Sequence, residues 1–200
     1  MQLRIESLTH SFPNQPKLFH NLNYEFNAGE LNGLVGPSGS GKSTLMAILS
    51  GMRKPQSGTV TQKNIRQIGW IPQNPIGVPR RTALDHVVFP QLLQKVERGK
   101  AEQIGHELLK KFDLSNVSGR EFRHLSGGEA QRLCFARAAA TEFDVLLVDE
   151  PTAQLDPTTA QTVRKVIREL ISPHRIVVLA THDSILREQC DGLLDLGAQQ

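Results

Sequence analysis

The stretch GPSGSGKST, residues 36–44, constrains this chain more than any other part of its sequence. It matches the pattern G-x-x-x-x-G-K-[ST], with Gly36 and Gly41 as its glycines and Lys42 and Ser43 after them. Because glycine has no Cβ, such a segment can curl until successive backbone N–H groups face one centre and bind phosphate. In this pattern the lysine places its charge on the β- and γ-phosphates, and the following hydroxyl is a ligand for Mg²⁺.

Apolar stretches on both sides predict the strand and the helix that such a loop needs. LNGLVG is a short apolar run, and STLMAILSGM has helical spacing of its apolar residues, with Met46 and Leu49 in the core and Gly51 as the helix C-cap. We therefore interpret residues 36–44 as a phosphate-binding loop, named the P-loop below. The expected nucleotide-binding residues are Gly36, Pro37, Ser38, Gly39, Ser40, Gly41, Lys42, Ser43 and Thr44.

The order of the other patterns predicts the fold class. Alternating stretches near the N-terminus, such as LRIESLT, indicate strands of an antiparallel β subdomain. Two amphipathic helix patterns follow Thr82 without a strand between them, which predicts a helical subdomain at approximately residues 80–140. Helices then alternate with the apolar strands VLLVDE and RIVVLATHD. We expect a single α/β domain over residues 1–200, a P-loop NTPase with a mostly parallel sheet core flanked by helices.

Composition narrows the classes of protein without selecting one. The 200 residues are 38% hydrophobic and 22% charged, which is typical of a globular domain. A net charge of +3, spread over the chain, is weak support for a nucleic-acid partner. Cys134 and Cys190 lie outside any Cys/His cluster, so we expect small buried side chains, no zinc site and a reducing compartment. No apolar run reaches the roughly 18 residues needed to span a bilayer.

Polar residues follow three of the predicted strands. Asp149 and Glu150 end VLLVDE, where Asp149 is suited to hold Mg²⁺ and Glu150 to orient and deprotonate a water molecule. The alternative is a solvated turn before Pro151. Gln73 and His182 end GWIPQ and VVLATH, and each alone is more typical of a loop. If both strands belong to the sheet of the P-loop, these two side chains reach the γ-phosphate.

A second glycine-rich stretch, HLSGGEAQR, begins at His124. Ser126 followed three residues later by Glu129 predicts a capping box at the start of a helix. This structural role explains the serine and the glutamate, but it does not explain why one chain carries two glycine-rich helix starts.

Taken in order, the P-loop, Gln73, the helical lobe, LSGGEAQR, LLVDEPT, AQLD and THD resemble the ATP-binding cassette (ABC) ATPases over essentially the whole chain. The resemblance implies ATP and Mg²⁺ as ligands. It implies that the metal is held by Ser43, Gln73 and Asp149, and that Lys42, Gln73, Glu150 and His182 take part in catalysis.

The resemblance also implies a site shared between two copies of the chain. Residues Ser126, Gly127 and Gly128 are expected to bind the γ-phosphate of an ATP held on the P-loop of the second copy. The segment AQLD, including Asp156, is expected to cross the same interface, although its first residue, Ala153, replaces the common serine.

The family's adenine-stacking aromatic falls on Phe12 in THSFPN. Tyrosine is usual at this position. A phenyl ring can stack on adenine without the hydroxyl, and plain core packing is the alternative.

The function that the resemblance implies is that of the nucleotide-binding subunit of an ABC transporter. ATP would be hydrolysed at the interface of a head-to-tail dimer, formed with a second copy or a homologous ATPase subunit. The expected partners are polytopic membrane permease subunits at the cytoplasmic face of the membrane, with no direct nucleic acid. GPSGSGKSTLM and RTALDHVVFPQLL look most like the lipoprotein-releasing and macrolide-export group.

Two alternatives stay open at this point. A soluble ABC-type ATPase acting on DNA or ribosomes would have long coiled-coil insertions or two cassettes, and this chain has neither. A small-molecule kinase would leave the Ser-Gly-Gly helix start and His182 unexplained.

Overall fold

The computed structural model describes residues 1–14, 17–153 and 155–199. Its contacts divide the chain into two compact units. Unit 1 comprises Met1–Trp70, Phe143–Ala153 and Arg168–Gln200, and unit 2 comprises Ile71–Glu142 and Gln154–Ile167. The predicted helical subdomain, about residues 80–140, lies within the first segment of unit 2. That the two units act as one ATPase domain remains a prediction.

Unit 1 contains a three-stranded antiparallel sheet with the strand order β2-β1-β4. The strands are β1 (Gln2–Ser11), β2 (Lys17–Phe26) and β4 (Ser57–Lys63). Leu3 and Ile5 alternate with exposed or partly exposed neighbours, as a strand with one buried face requires. The antiparallel sheet of the predicted β subdomain is thus confirmed.

A five-stranded sheet has the order β5-β6-β7-β3-β8. Its strands are β3 (Leu31–Val35), β5 (Ile68–Ile71), β6 (Val145–Asp149), β7 (Ile176–Ala180) and β8 (Gly192–Asp195). Strands β6, β7, β3 and β8 run parallel. Every residue of β3, β6 and β7 is buried, which explains their continuous apolar sequences and confirms the predicted parallel core. Parallel strands present their carboxyl ends at one edge, where the P-loop follows β3, Glu150 follows β6 and His182 comes shortly after β7.

Six α-helices occur in the described part of the chain. They are α1 (Lys42–Leu49), α2 (Ala83–Leu93), α3 (Arg98–Lys111), α4 (Gly127–Ala139), α5 (Pro157–Glu169) and α6 (Ser184–Glu188). The two predicted amphipathic helices correspond to α2 and α3. They pack closely, since a Cβ at Gly105 of α3 would lie 2.9 Å from side-chain atoms of Leu84 and Val88.

Two predicted element ends are displaced. Strand β5 ends at Ile71 rather than at Gln73, because Pro72 follows and has no N–H to continue the ladder. The C-cap of α1 is Ser50, and Gly51 comes next with a φ of 77°, the left-handed conformation that ends many helices. Met46 and Leu49 of α1 are fully buried, as expected.

Cys134 is buried and Cys190 half-buried, and both are free thiols. Among the residues described, no helix is both long and apolar enough to cross a bilayer.

Candidate functional site

The P-loop leaves β3 in a conformation that requires glycine. Gly36, Gly39 and Gly41 have φ values of 142°, 82° and 97°. A Cβ at Gly36 would lie 2.7 Å from the Ser40 hydroxyl, and one at Gly41 would lie 3.2 Å from Leu18 Cβ. Helix α1 begins directly after Gly41, which gives its N-terminus no side-chain cap. The first amides of α1 therefore keep their capacity to bind an anion.

The Lys42 side chain lies over the P-loop. Its Nζ donates to the carbonyl oxygens of Gly36 at 2.9 Å and Pro37 at 3.2 Å. It is also 3.0 Å from His182 Nε2 and 3.9 Å from Glu150 Oε1. Burial lowers the pKa of Lys42, while the neighbouring carboxylates oppose this shift. A partly desolvated ammonium thus donates to uncharged carbonyl oxygens, which charged phosphate oxygens can replace.

Asp149, the last residue of β6, is 5% exposed, and its Oδ1 has no hydrogen-bond partner among the described residues. Burial raises the pKa of Asp149, and a hydrogen bond from the Ser43 side chain and the charge of Lys42 act in the opposite direction. A buried carboxylate oxygen without a partner, next to a hydroxyl, is a donor set that suits a hard divalent cation.

Glu150 follows in a strained backbone conformation. Its φ is 44°, which is uncommon for a residue with a Cβ, and its N–H donates to Ala180 O at 2.9 Å. The side chain is 11% exposed. Its Oε2 accepts the backbone N–H of His182 at 3.0 Å, and its Oε1 is 3.1 Å from His182 Nε2. The turn after β6 thus directs this carboxylate toward the end of β7.

His182 joins Lys42 and Glu150 in one cluster, although 140 residues separate it from Lys42. A neutral imidazole can accept a hydrogen bond at Nε2 from the Lys42 ammonium. The residues on either side of His182 fix the turn, because Asp183 N–H donates to Thr181 Oγ1 at 3.0 Å and the Asp183 carboxylate caps α6. The structure thus brings together three of the four predicted catalytic side chains.

The Ser-Gly-Gly helix start belongs to unit 2, and the predicted capping box is confirmed. Glu129 N–H donates to Ser126 Oγ at 3.3 Å, and Ser126 N–H donates to Glu129 Oε2 at 2.7 Å. That second bond is the main cause of the lowered pKa of Glu129. Ser126 and Gly127 are exposed, and a Cβ at Gly127 would meet nothing within 4 Å. The N-terminus of α4 is therefore open within its unit.

The other predicted site residues lie in several places. Gln73 is exposed, two residues beyond β5, in unit 2. Asp156 accepts the N–H groups of Thr158 and Thr159, each at 3.1 Å, so it caps α5, as an aspartate before a proline at the first helical position commonly does. Gln154, inside the predicted AQLD segment, lies outside the described residues.

Phe12 follows β1 and is half-buried. Its ring meets that of His10 edge-on, with centroids 5.4 Å apart, and the Arg53 guanidinium lies over it at 5.0 Å. Sequence reasoning missed Arg53, since nothing in GMRKPQ marks a residue that contacts an aromatic ring.

Comparison with known proteins agrees with this geometry. The family described as ABC transporter matches residues 19–153, which include the P-loop, Asp149 and Glu150. The probable sulfate/thiosulfate import ATP-binding protein CysA of Chlorella vulgaris is 38% identical over 92% of this chain and 81% of its own length. The lipoprotein-releasing system ATP-binding protein LolD of Koribacter versatilis is 33% identical over 91% and 89%.

Solved structures of ABC transporter proteins have a fold similar to that of this chain. The ATP-binding cassette MJ0796, in a dimeric post-hydrolysis state bound to ADP and Pi, superposes with a TM-score of 0.86 and 26% identity over 98% of this chain and 95% of that one. The structure of cbiO1 from Clostridium perfringens, part of the ABC transporter complex cbiONQ, has a TM-score of 0.82 and 26% identity over 98% of this chain and 85% of that one. The chain therefore belongs to the ABC transporter family, as one of its ATP-binding proteins.

Proposed function

We propose that this protein hydrolyses ATP in a site completed by a second copy, and that the reaction drives transport through a membrane permease. The observation that carries the proposal is the cluster of Lys42, Glu150 and His182 beside the P-loop, with all three side chains within 4 Å of another member. An ammonium, a carboxylate and an imidazole at one sheet edge are the groups that phosphoryl transfer to water needs.

ATP fits the P-loop by shape and charge. A loop with no room for a Cβ at Gly36, and with a positive φ at Gly41, allows the close approach of phosphate oxygens to backbone N–H groups. Lys42 Nζ, now bonded to two loop carbonyls, would turn to the β- and γ-phosphates and exchange neutral acceptors for charged ones. The remaining residues of the loop, including Ser38, Ser40 and Thr44, would line the phosphates.

Mg²⁺ fits the neighbouring donors. Asp149 supplies the carboxylate oxygen that lacks a partner among the described residues, and Ser43 supplies the hydroxyl. A metal-binding role of Gln73 stays a prediction from the sequence resemblance. When bound, the metal would neutralise charge on the β- and γ-phosphates.

Glu150 is the proposed general base. It would take a proton from the water that attacks the γ-phosphorus, while the bond between that phosphorus and the β,γ-bridging oxygen breaks. His182 would orient the γ-phosphate or the water by hydrogen bonding through Nε2, the atom that lies 3.1 Å from Glu150. The strained φ of Glu150 supports this role, since such conformations persist where the surrounding contacts hold them for function.

The second copy would contribute the start of α4. Ser126, Gly127 and Gly128 offer a hydroxyl, backbone N–H groups and a helix N-terminus to the γ-phosphate. These residues are exposed or only partly buried, and the relative MJ0796 is a dimer with ADP and Pi. Asp156, at the start of α5, would lie at the same interface.

The transport role rests on the relatives. Their names give sulfate or thiosulfate import, arginine transport, cystine transport and lipoprotein release. Transport by a permease partner is thus favoured over action on DNA or ribosomes. The resemblance to the lipoprotein-releasing and macrolide-export group stays a prediction, because relatives with other cargoes have similar sequence identity to this chain.

Unit 2 exposes four large apolar side chains that suit contact with a permease subunit: Ile76, Val78, Phe89 and Leu93.

Two experiments test the proposal. Phosphate release from ATP by the purified chain should be lost in Lys42→Met and kept in Lys110→Met, which removes the same charge from the exposed side of α3. Equal turnover of both variants would contradict the assignment of the P-loop.

The second experiment is affinity purification of this chain from membranes. It should recover a polytopic membrane protein to which the chain binds at the cytoplasmic face. Recovery of ribosomes or DNA instead would contradict the transport role.

A further inference from the structure

A group of rings and one cation surrounds the end of β1. Phe12 is half-buried, His10 packs against it in a T-shaped arrangement, and the Arg53 guanidinium lies 5.0 Å from its centroid. This distance is within the range of a cation–π contact. The described part of the chain offers Arg53 no carboxylate within salt-bridge distance, so the ring is its main partner.

This group is continuous with the P-loop. A Cβ at Gly41 would lie 3.3 Å from Phe19 Cε1, so the last glycine of the loop packs on this ring. Phe19 in turn stacks with His10, with centroids 6.2 Å apart, and His10 contacts Phe12. Phe12 therefore lies at the end of a row of rings that starts where the phosphates of a nucleotide would bind.

The backbone around Arg53 is held from both sides. Its N–H donates to Ala47 O in α1 at 3.0 Å. In the same loop, Gln56 N–H donates to Thr9 O at 3.0 Å, and Gln56 Oε1 accepts the Ser11 hydroxyl at 3.0 Å. The loop between α1 and β4 is thus bound to β1 on both sides of His10, which fixes the backbone of this loop relative to the end of β1.

His10 adds a buried imidazole ring to this group. The ring is buried, and neither nitrogen has a hydrogen-bond partner in the described residues. Burial first, and the charge of Arg53 second, lower the pKa of His10. Both effects favour the uncharged imidazole, and the cation seen in contact with the Phe12 ring is Arg53.

We infer that Arg53 is a positioning residue of the nucleobase site, which holds one face of the Phe12 ring so that the other face stacks on the base. This inference rests on the proposed ATP site. A phenyl ring has no hydroxyl through which a hydrogen bond could fix its orientation, so the ring depends on contacts at its face and edge. Arg53 supplies a contact over the ring, and His10 supplies a T-shaped ring contact.

The test compares ligands that share phosphates but differ in the base. Dissociation constants for ADP and for pyrophosphate are measured by calorimetry on the full chain. Arg53→Met should weaken ADP binding about two- to fivefold, the fold-change that an exposed cation–π contact supports, and leave pyrophosphate binding unchanged. Arg53→Lys should retain most of the affinity. Lys54→Met, which removes the neighbouring charge on the same exposed loop, should behave like the unmodified chain.

A double-mutant cycle makes the test specific to the ring. Phe12→Ala should weaken ADP binding by about five- to a hundredfold, the range measured for stacked bases. In that background Arg53→Met should have no further effect, because the ring it positions is gone. Independent effects, or an equal loss of pyrophosphate affinity, would overturn the inference, since Arg53 would then act on the phosphates directly.

The same data distinguish this inference from the proposed function. If the unmodified chain binds neither ADP nor pyrophosphate, the P-loop assignment fails and the inference fails with it. If the chain binds both and Arg53→Met binds ADP as tightly as the unmodified chain, only the role of Arg53 is refuted.

Discussion

Replacement of Glu150 by glutamine separates ATP binding from hydrolysis in the proposed site. Glutamine keeps the shape of the side chain and an oxygen that can accept the His182 N–H, now 3.0 Å from Glu150 Oε2. It cannot accept a proton from water. Loss of a general base typically lowers turnover by about 10²- to 10⁴-fold, or about 3 to 5 kcal/mol of barrier.

Glu150→Gln lowers turnover, but it should not weaken the binding of ATP. Glu150 Oε1 lies 3.9 Å from Lys42 Nζ, and both side chains are nearly buried. At an effective dielectric constant of about 20, the attraction between these charges is about 4 kcal/mol before desolvation is counted. Removing the carboxylate leaves more of the Lys42 charge for phosphate and removes repulsion of the ATP anion. The dissociation constant for ATP should therefore stay the same or fall.

The assay measures phosphate release under single turnover, ATP binding by calorimetry, and mass by light scattering. Glu150→Gln should bind ATP, hydrolyse it at least about a hundredfold more slowly, and accumulate as a dimer in ATP. Glu188→Gln, with the same charge change at an exposed position of α6, is the matched control. Normal turnover by Glu150→Gln, or ATP affinity weakened more than about tenfold, would refute the reasoning.

Three further predictions concern the other groups of the site. Ser126→Arg should abolish turnover while the single chain keeps its ATP affinity, measured by calorimetry; a large loss of affinity would place this serine at its own chain's nucleotide. Ser126→Ala should lower the free energy of unfolding in urea by about 1 kcal/mol, the usual effect of losing an N-cap, and an unchanged value would contradict the role of the capping box. Asp149→Asn should raise the free energy of unfolding at pH 7, because burial raises the folded pKa of Asp149 and its charged form costs stability. That gain should disappear as the pH falls below the ordinary pKa of aspartate, and equal stability of both proteins at pH 7 would contradict it.

Features encoded by adjacent residues could be predicted from the sequence. The P-loop, the capping box at Ser126 and the carboxylates after β6 each depend on a few neighbouring residues in a fixed backbone setting. The buried strands were recognisable because a parallel sheet covered on both faces needs continuous apolar runs.

Contacts between distant segments could not be derived from local patterns alone, and His182 was expected near the γ-phosphate only if its strand joined the sheet of the P-loop. The cluster of Lys42, Glu150 and His182 forms because β3, β6 and β7 lie in one sheet with matched ends, a register that no motif states. The left-handed φ of Glu150 likewise has no signal in VLLVDEP. Arg53 reaches Phe12 only because the loop after α1 bonds to β1, so neither residue identifies the other in the sequence.

A complementation experiment tests most directly the claim that each ATP lies between two copies. Lys42→Met disables the P-loop and Ser126→Arg disables the helix start, so each variant alone should be inactive. A dimer with one chain of each kind has one site in which an intact P-loop faces an intact Ser-Gly-Gly helix start. A 1:1 mixture should therefore recover up to about a quarter of normal phosphate release, because half of randomly formed dimers are mixed and each has one intact site. A mixture as inactive as its components would show that both elements act within one chain, and would contradict the shared site.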